Sequence, residues 1–330
     1  KRCCLDFFVF RLFPFLQDPF WKEDFSNPTE TENNWSIEDL SGNEILWEHC
    51  DDPFACAPIA IPVDFLEEPR FMSTTALNGY IFVNSNGQNA HTSVLKSPKI
   101  DCSNIENRVV LRFETHIAVR VSPPNEKAIL RVKSESSDWE EFNIFENLGL
   151  LPSIFGSNES CNAEIIYIDI TDIAVGQSEV ELEFRWEAEN DLSWAIDDIG
   201  LYDFHPLEKD VVWGNQPGEG DFSGGFNNWE TNTISSSCDW YWEPTGWVGN
   251  SFFNSVPNDL KICSRTGNNG AAVIHPDLCS NGNQPVDAVA ELISPTIDLS
   301  SFTSGEGLIL EFDQLFAEGN HIIPNTPMTR

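Results

Sequence analysis

Residues 194–202, Trp-Ala-Ile-Asp-Asp-Ile-Gly-Leu-Tyr, decide how this chain folds. Large apolar side chains alternate there with small or polar ones, which is the period of a half-buried strand. The phase slips at the acidic pair, because Trp194 and Ile196 are even-numbered whereas Ile199 and Leu201 are odd-numbered. A regular strand cannot bury both sets on one face. We therefore predict a β-bulge at Asp197-Asp198, where one extra residue re-aims the side chains.

The two adjacent carboxylates of this strand need partners. A buried, unpaired carboxylate costs roughly several kcal/mol unless a cation or hydrogen-bond donors satisfy it. A calcium ion, or another structural cation, would satisfy both Asp197 and Asp198, because Ca²⁺ prefers hard oxygen ligands. The alternative is that both carboxylates face water at a strand end.

The rest of the chain has the pattern of short strands separated by turns. The clearest strand has one apolar and one charged face, as in an antiparallel sheet with one face exposed to water. Its apolar face carries Val180, Leu182, Phe184 and Trp186, and its charged face carries Glu181, Glu183, Arg185 and Glu187. Further strands are predicted within 80–83, 109–121, 128–134, 139–145 and 166–170. Strong helical periodicity is absent, so the sequence predicts an all-β protein, an antiparallel β-sandwich.

An internal repeat divides the chain. Asp24-Phe25-Ser26 returns as Asp221-Phe222-Ser223 and residues 95–103 return at 292–300, both 197 residues later, and 111–114 return at 310–313. Three anchors in one order at nearly one offset indicate a repeated module. We predict a jelly-roll module over 19–205, a linker over 206–218 and a truncated second copy over 219–330. Its closing strands, including a second Asp-Asp strand, are predicted to be missing, so the chain is expected to be part of a larger protein.

Charge and the N-terminal segment restrict the class of partner. The 53 acidic residues outnumber the 18 basic ones, for a net charge of −35. This excess argues against nucleic acid and anionic membrane surfaces, which require Lys and Arg patches. Residues 1–18 have a basic start and a mostly apolar run, and we predict an export signal there. No transmembrane segment is predicted.

The cysteines allow two interpretations. Cys50 with Cys56, and Cys263 with Cys279, flank short loops that a disulfide could close, and Cys102 with Cys161 form a weaker third pair. These disulfides would indicate an oxidising, extracytoplasmic location. The alternative is a set of small, buried thiols.

Four features in order carry a family resemblance: the acidic-x-Phe opening, the Ser-Pro-x-Ile-Asp step, the Leu-x-Phe strand and the Trp-x-Ile-Asp-Asp-Ile closing strand. The chain resembles the jelly-roll modules of the MAM-type and cleaved-adhesin (choice-of-anchor J) families, which are common in secreted multidomain proteins of Bacteroidetes-type bacteria. The resemblance implies an extracellular or cell-surface adhesion or binding module with a structural calcium ion. The ligands that it implies are Glu23, Asp24, Asp197 and Asp198 in the first copy, and Glu219 and Asp221 in the second.

Catalytic motifs are absent from the sequence. It contains neither His-Glu-x-x-His nor Gly-x-Ser-x-Gly. Glu181 and Glu183 have the alternate spacing of a jelly-roll glycosidase pair, but the strand pattern places them on the solvated face. The sequence therefore predicts a non-catalytic module.

An aromatic cluster is the candidate ligand platform. It comprises Trp240, Tyr241, Trp242 and Trp247. Exposed aromatic rings stack on sugars, whereas the same rings could fill the sandwich core. The predicted function is a calcium-stabilised adhesion or binding module for an extracellular protein or glycan. The alternative is a carbohydrate-binding module appended to a secreted hydrolase or protease whose catalytic domain lies outside this chain.

Overall fold

Antiparallel strands carry almost all of the regular structure in the computed structural model of the chain. The structure describes residues 2–323 except 14–17, 53–55, 57–70, 121–125, 149–150, 153–156, 190–191, 205–210, 215, 217–218, 236–237, 247–261, 263, 265–269, 275–288, 301–306 and 319–320. Among these described residues, no helix is long and apolar enough to cross a membrane.

The elements follow one another along the chain as short strands with few helical turns. The strands are β1 (Arg2–Phe13), β2 (Trp21–Glu23), β3 (Ser36–Asp39), β4 (Glu48–Cys50), β5 (Tyr80–Asn84), β6 (His91–Lys96), β7 (Val110–Arg120), β8 (Lys127–Ser134), β9 (Glu140–Asn143), β10 (Leu151–Pro152), β11 (Ser157–Glu159), β12 (Glu164–Asp169), β13 (Val180–Ala188), β14 (Ser193–Tyr202), β15 (Val211–Trp213), β16 (Glu230–Ser235), β17 (Tyr241–Glu243), β18 (Ala271–Ile274), β19 (Val289–Ile293), β20 (Gly307–Glu318) and β21 (His321–Ile323). The helices are α1 (Pro28–Asn34) and α2 (Thr171–Ala174), and 3₁₀ turns span Ala76–Asn78 and Ile144–Asn147.

The chain divides into two units. The first unit comprises residues 18–207, and the second comprises residues 1–17 together with 208–330.

The first unit is a sandwich of two antiparallel sheets. One sheet has the order β10-β11-β7-β14-β5-β4, with β12 also paired to β7 and β2 to β14, and the other has the order β3-β6-β13-β8-β9. The chain crosses from one sheet to the other at β2–β3, β3–β4, β5–β6, β6–β7, β7–β8, β9–β10, β12–β13 and β13–β14. This alternation of consecutive strands between two sheets is the jelly-roll arrangement, as the sequence predicted.

The core of the first unit lies between these sheets. Val180, Leu182, Phe184 and Trp186 of β13 are buried, which confirms the predicted alternation. The Phe184 ring packs against the opposite sheet, 5.4 Å from Phe113 and 6.0 Å from Trp194, measured between ring centroids. Burying an aromatic side chain of this size contributes about 1.5–3 kcal/mol, so these layers hold the two sheets together.

The second unit contains one larger sheet and one strand pair. The sheet has the order β17-β18-β1-β20-β21, with β15 also paired to β1, and β16 pairs with β19. Strand β1 covers most of the segment predicted to be an export signal, and that role stays a prediction. Strand β15 lies within the predicted linker, so the linker is not entirely irregular. Counterparts of β8–β13 do not occur among the described residues of this unit.

The cysteine assignments are confirmed at one pair and wrong at another. Cys50 and Cys56 form a disulfide, whereas Cys102 is a free, buried thiol. Cys161 is disulfide-bonded, and it therefore pairs with a residue other than Cys102. Burial, together with the charge of Asp101, raises the pKa of the Cys102 thiol to about 12. Cys263 and Cys279 lie outside the described residues.

Candidate functional site

The predicted β-bulge is present in β14. The register of β14 against β7 shifts between Asp197 and Gly200, and Asp198 adopts a φ of 50°. Trp194, Ile196, Ile199 and Leu201 all lie in the core between the sheets. The bulge therefore keeps both apolar sets on one face and places both carboxylates on the other.

A hydroxyl-rich turn supplies hydrogen-bond donors to this acidic pair. The Ser73 hydroxyl donates to Asp197 Oδ2. The Thr75 backbone N–H donates to Asp198 Oδ2 over 3.0 Å. The Thr75 hydroxyl lies 3.2 Å from Asp197 Oδ2 and 3.0 Å from Asp198 Oδ1, and its single proton serves one of them at a time. Because one threonine reaches both carboxylates, they lie side by side on the same face of the sheet.

Glu114 of β7 brings a third carboxylate to the same face. It stands directly opposite Asp197 in the strand register. Its carboxylate accepts hydrogen bonds from the Thr74 backbone N–H at 2.8 Å and the Thr74 hydroxyl at 2.7 Å. Arg112, two residues earlier on β7, forms an ion pair with Glu114 at 2.6 Å and donates to the Asp198 carbonyl at 3.3 Å. We call Asp197, Asp198 and Glu114, with Arg112 and residues 73–75, the acidic bulge.

One carboxylate oxygen of the acidic bulge is buried without a hydrogen-bond partner among the described residues. Asp197 is fully buried, and its Oδ1 has no hydrogen-bond partner among the described residues. Burial and the charge of Asp198 raise the pKa of Asp197 to about 9. Burial and the charge of Glu114 raise the pKa of Asp198 as well. Three carboxylates face one guanidinium, so the site takes up either a proton or a cation.

The sheet separates the other predicted ligands of the first unit from this site. Glu23 pairs with Ile199, and directly opposed residues share a face, so its side chain points toward the core. Its carboxylate accepts from the Phe25 backbone N–H and the Trp35 indole N–H, each at 2.9 Å. Asp24 Oδ1 accepts from the Ser26 backbone N–H at 3.1 Å. The structure therefore places Glu23 on the opposite face of the sheet from Asp197 and Asp198, and Asp24 caps its own local turn.

The predicted ligands of the second unit have local hydrogen-bond partners. Glu219 Oε2 accepts from the backbone N–H groups of Gly214 and Gln216, at 3.0 and 3.2 Å. Asp221 Oδ2 accepts from the Ser223 hydroxyl at 2.9 Å. Among the described residues of the chain, no group of three or more His, Cys, Asp or Glu side chains has the arrangement of a preformed metal site.

The predicted aromatic platform is partly built into the second unit. Trp240 and Trp242 pack against the cluster of Phe222, Trp229 and Ala272. Their indole N–H groups donate to the carbonyl oxygens of Ala290 at 3.3 Å and Phe222 at 2.8 Å. Tyr241 packs against a different cluster. Trp247 lies outside the described residues.

Glu181 and Glu183, two residues apart on β13, both form ion pairs. Glu183 is only 3% exposed, and it pairs with Arg131 at 2.7 Å and Lys96 at 3.7 Å. Glu181 pairs with Lys133 at 3.0 Å. Both carboxylates therefore serve cross-strand pairing on the outer face of the smaller sheet, but the prediction that this face is solvated is wrong at Glu183, which is buried beside its two cations.

A separate polar cleft opens beside β12. Its volume is about 460 Å³. Arg108 lies in its wall and donates to Asp169 Oδ2 from both Nε, at 3.0 Å, and a terminal nitrogen, at 2.8 Å. The other lining residues are Asn107, Glu140, Ile170, Thr171, Asp172 and Ile173.

Sequence reasoning missed Glu114, Arg112 and the 73–75 turn as parts of the acidic bulge. One signal was available, because Arg112 and Glu114 alternate with the core residues Leu111 and Phe113 and therefore share the outer face. The three successive hydroxyl residues 73–75 carry no such periodic signal, since a loop brings them to the site.

Comparison with known proteins yields remote structural similarities. No protein-family model matches the sequence, and no curated protein matches it significantly. The K1 cleaved adhesin domain of Lys-gingipain from Porphyromonas gingivalis W83 has a TM-score of 0.36 and 13% identity over 56% of this chain and 98% of that domain. A carbohydrate-binding module solved with β-1,4-galactotriose has a TM-score of 0.32 and 11% identity, over 53% and 92%. A mannan-recognising module has a TM-score of 0.29 and 15% identity, over 59% and 99%. At these values we draw no conclusion about function from the similarities.

Proposed function

We propose that this chain is a non-catalytic, extracellular binding module in which calcium stabilises the acidic bulge. One observation carries the calcium proposal: Asp197 Oδ1 is fully buried without a partner among the described residues, inside a group of three carboxylates. A buried charge of this kind is strongly destabilising unless it is paired or neutralised.

The residues of the acidic bulge suit calcium in chemical type. Carboxylate and hydroxyl oxygens are hard ligands, and Ca²⁺ takes six to eight of them in flexible geometry. Asp197 and Asp198 would hold the ion, and Glu114 would add negative charge, because its own oxygens already accept from Thr74 and Arg112. When bound, calcium would neutralise the carboxylates and tie β14 to the 73–75 turn. Glu23 and Asp24 are not part of this ligand set.

Two observations support a non-catalytic, extracellular role. The candidate acid pair on β13 is occupied by cross-strand ion pairs, so its carboxylates serve pairing rather than a substrate. The Cys50–Cys56 disulfide suits an oxidising compartment, since such bonds are rare in the cytosol. The partner would be an extracellular protein or a glycan.

Thermal unfolding of the full chain tests the calcium proposal. A ligand present at 100 times its Kd adds about 2.7 kcal/mol of stability, so calcium should raise the midpoint by about 5 °C or more relative to chelator. Asp198→Asn should abolish most of this rise, whereas Asp172→Asn, an exposed carboxylate away from the bulge, should retain it. Equal midpoints in calcium and in chelator would overturn the proposal. A magnesium arm separates calcium from a general divalent effect.

The polar cleft favours a second candidate function, glycan binding. Arg108 and Asp169 present a donor and an acceptor at an open surface, and sugar hydroxyls require both. The half-buried positions of Trp240 and Trp242 instead support a core role for those rings. A glycan array probed with the full chain tests this alternative, and binding that survives Arg108→Gln would place the glycan elsewhere.

A further inference from the structure

Strand β1 occupies, in the second unit, the position that β14 occupies in the first. In the first unit, β14 lies between β5 and β7. Strand β2 pairs with the same edge of β14 as β5 does, further along the strand. In the second unit, β1 lies between β18 and β20. Strand β15 pairs with the same edge of β1 as β18 does, further along the strand. Both strands are therefore central, with a neighbour on each edge.

The neighbours of the two strands correspond through the internal repeat. β20 contains 310–313, which repeats 111–114 of β7. β18 and β5 each follow a glycine of large positive φ, Gly270 at 130° and Gly79 at 124°. A Cβ at either glycine would meet the carbonyl oxygen of the preceding repeat anchor, at 2.7 Å from Phe222 and 3.0 Å from Phe25. The strands β18 and β20, which flank β1, thus correspond to β5 and β7, which flank β14.

Five positions of the two strands correspond at one constant offset, without a gap. Cys3, Leu5, Asp6, Phe8 and Phe10 lie 191 residues before Trp194, Ile196, Asp197, Ile199 and Leu201. β1 is also apolar at Phe7 and Val9, where β14 has Asp198 and Gly200, so the likeness rests on the shared aspartate and the four apolar positions around it.

The strand register shows the bulge at the same place. The pairing of β1 with β20 shifts between Asp6 and Phe8, and Asp6 stands opposite Asp313. The pairing of β14 with β7 shifts after Asp197, which stands opposite Glu114. Asp313 is the repeat counterpart of Glu114. A generic apolar strand would pair without reproducing a bulge next to an acid-acid pair.

We infer that Arg2–Phe13 is a module-closing strand equivalent to β14, and that the position between β18 and β20 is an acceptor site for such a strand. The acceptor recognises an extended segment of the pattern apolar-x-apolar-Asp-x-apolar-x-apolar through main-chain hydrogen bonds on both edges, as in β-strand addition. This inference is independent of the calcium proposal.

Hydrogen exchange on the full chain with Val9→Pro tests the inference. Proline removes a ladder donor and is excluded from central strands, so exchange protection in β18 and β20 should fall by about tenfold or more. Val9→Ala, which keeps the N–H group, should retain that protection. Strands β7 and β13 of the first unit serve as the internal reference for folding. Unchanged protection of β18 and β20 in Val9→Pro would overturn the inference.

Peptide rescue separates an acceptor site from simple destabilisation. A peptide of residues 1–17 should bind the Val9→Pro chain and restore protection of β18 and β20, and the same peptide carrying Val9→Pro should not. A peptide of residues 192–204 should also restore it, because it contains β14. Rescue by the 1–17 peptide alone would overturn the equivalence with β14, and failure of both peptides would overturn the acceptor site.

Discussion

At the scale of single residues, the raised pKa of Asp197 predicts how the calcium-free protein responds to pH. Its folded pKa of about 9 lies above the ordinary value of 3.8, so between these values the folded chain holds a proton that the unfolded chain releases. The stability is therefore greatest below about pH 4 for this group and falls as the pH rises toward 9. The unfolding midpoint measured in chelator from pH 5 to pH 8 checks this decline.

Asp197→Asn should flatten that pH dependence, because an amide does not ionise. Under the calcium proposal, added calcium should oppose the decline in the unmodified chain, since the ion would bind the ionised carboxylates of the acidic bulge. Asp172→Asn is the matched control and should keep the original slope. An equal slope in Asp197→Asn and the unmodified chain would assign the pH dependence to other groups.

The acidic bulge also shows which single residues a sequence can assign. The change of phase between Ile196 and Ile199 predicted the bulge, because strand alternation is a local property. Glu23 was misplaced because it lies one strand away from Asp198 but on the other face of the sheet. The 73–75 turn could not be predicted, since its contacts with Asp197 join residues more than 120 positions apart in sequence and residues 73–75 lie outside any strand.

At the scale of elements, β13 carries a buried charge whose removal should be costly. Glu183 lies between Arg131 and Lys96 and is almost fully buried. Glu183→Gln leaves both cations with weaker partners, and we expect a loss of about 1–3 kcal/mol in the free energy of unfolding. Glu181→Gln, two residues away on the same face and more exposed, should cost less than about 1 kcal/mol. Denaturant titration of both variants measures the difference, and equal losses would contradict it.

Strand periodicity predicted the elements better than their pairing. The alternation along β7, β8 and β13 located these strands to within a few residues, because one face of each is apolar. The order β5-β14-β7 depends on contacts between residues far apart in sequence, which periodicity does not encode. Residues 2–13 form β1, and their basic start followed by apolar residues also fits an export signal, so that role stays a prediction.

At the scale of the whole molecule, the excess of acidic residues predicts a stabilising effect of salt. With 53 acidic and 18 basic side chains, even complete pairing of every basic group would leave 35 negative charges without a partner. Salt weakens both the attractive pairs and the repulsion among the excess charges, because the Debye length falls from about 8 Å at 0.15 M to about 3 Å at 1 M. The repulsive terms outnumber the attractive ones, so screening should favour the folded chain.

The midpoint of thermal unfolding in chelator should therefore rise by several degrees, roughly 1 kcal/mol or more, between 0.05 and 1 M NaCl. The measurement is made in chelator so that calcium binding, proposed for the acidic bulge, does not contribute to the midpoint. Any remaining change between the two salt concentrations then reports screening. Asp198→Asn separates the two effects, since it should remove the calcium response and retain the salt response. A midpoint that falls with salt would mean that the ion pairs of β8 and β13 outweigh the net repulsion.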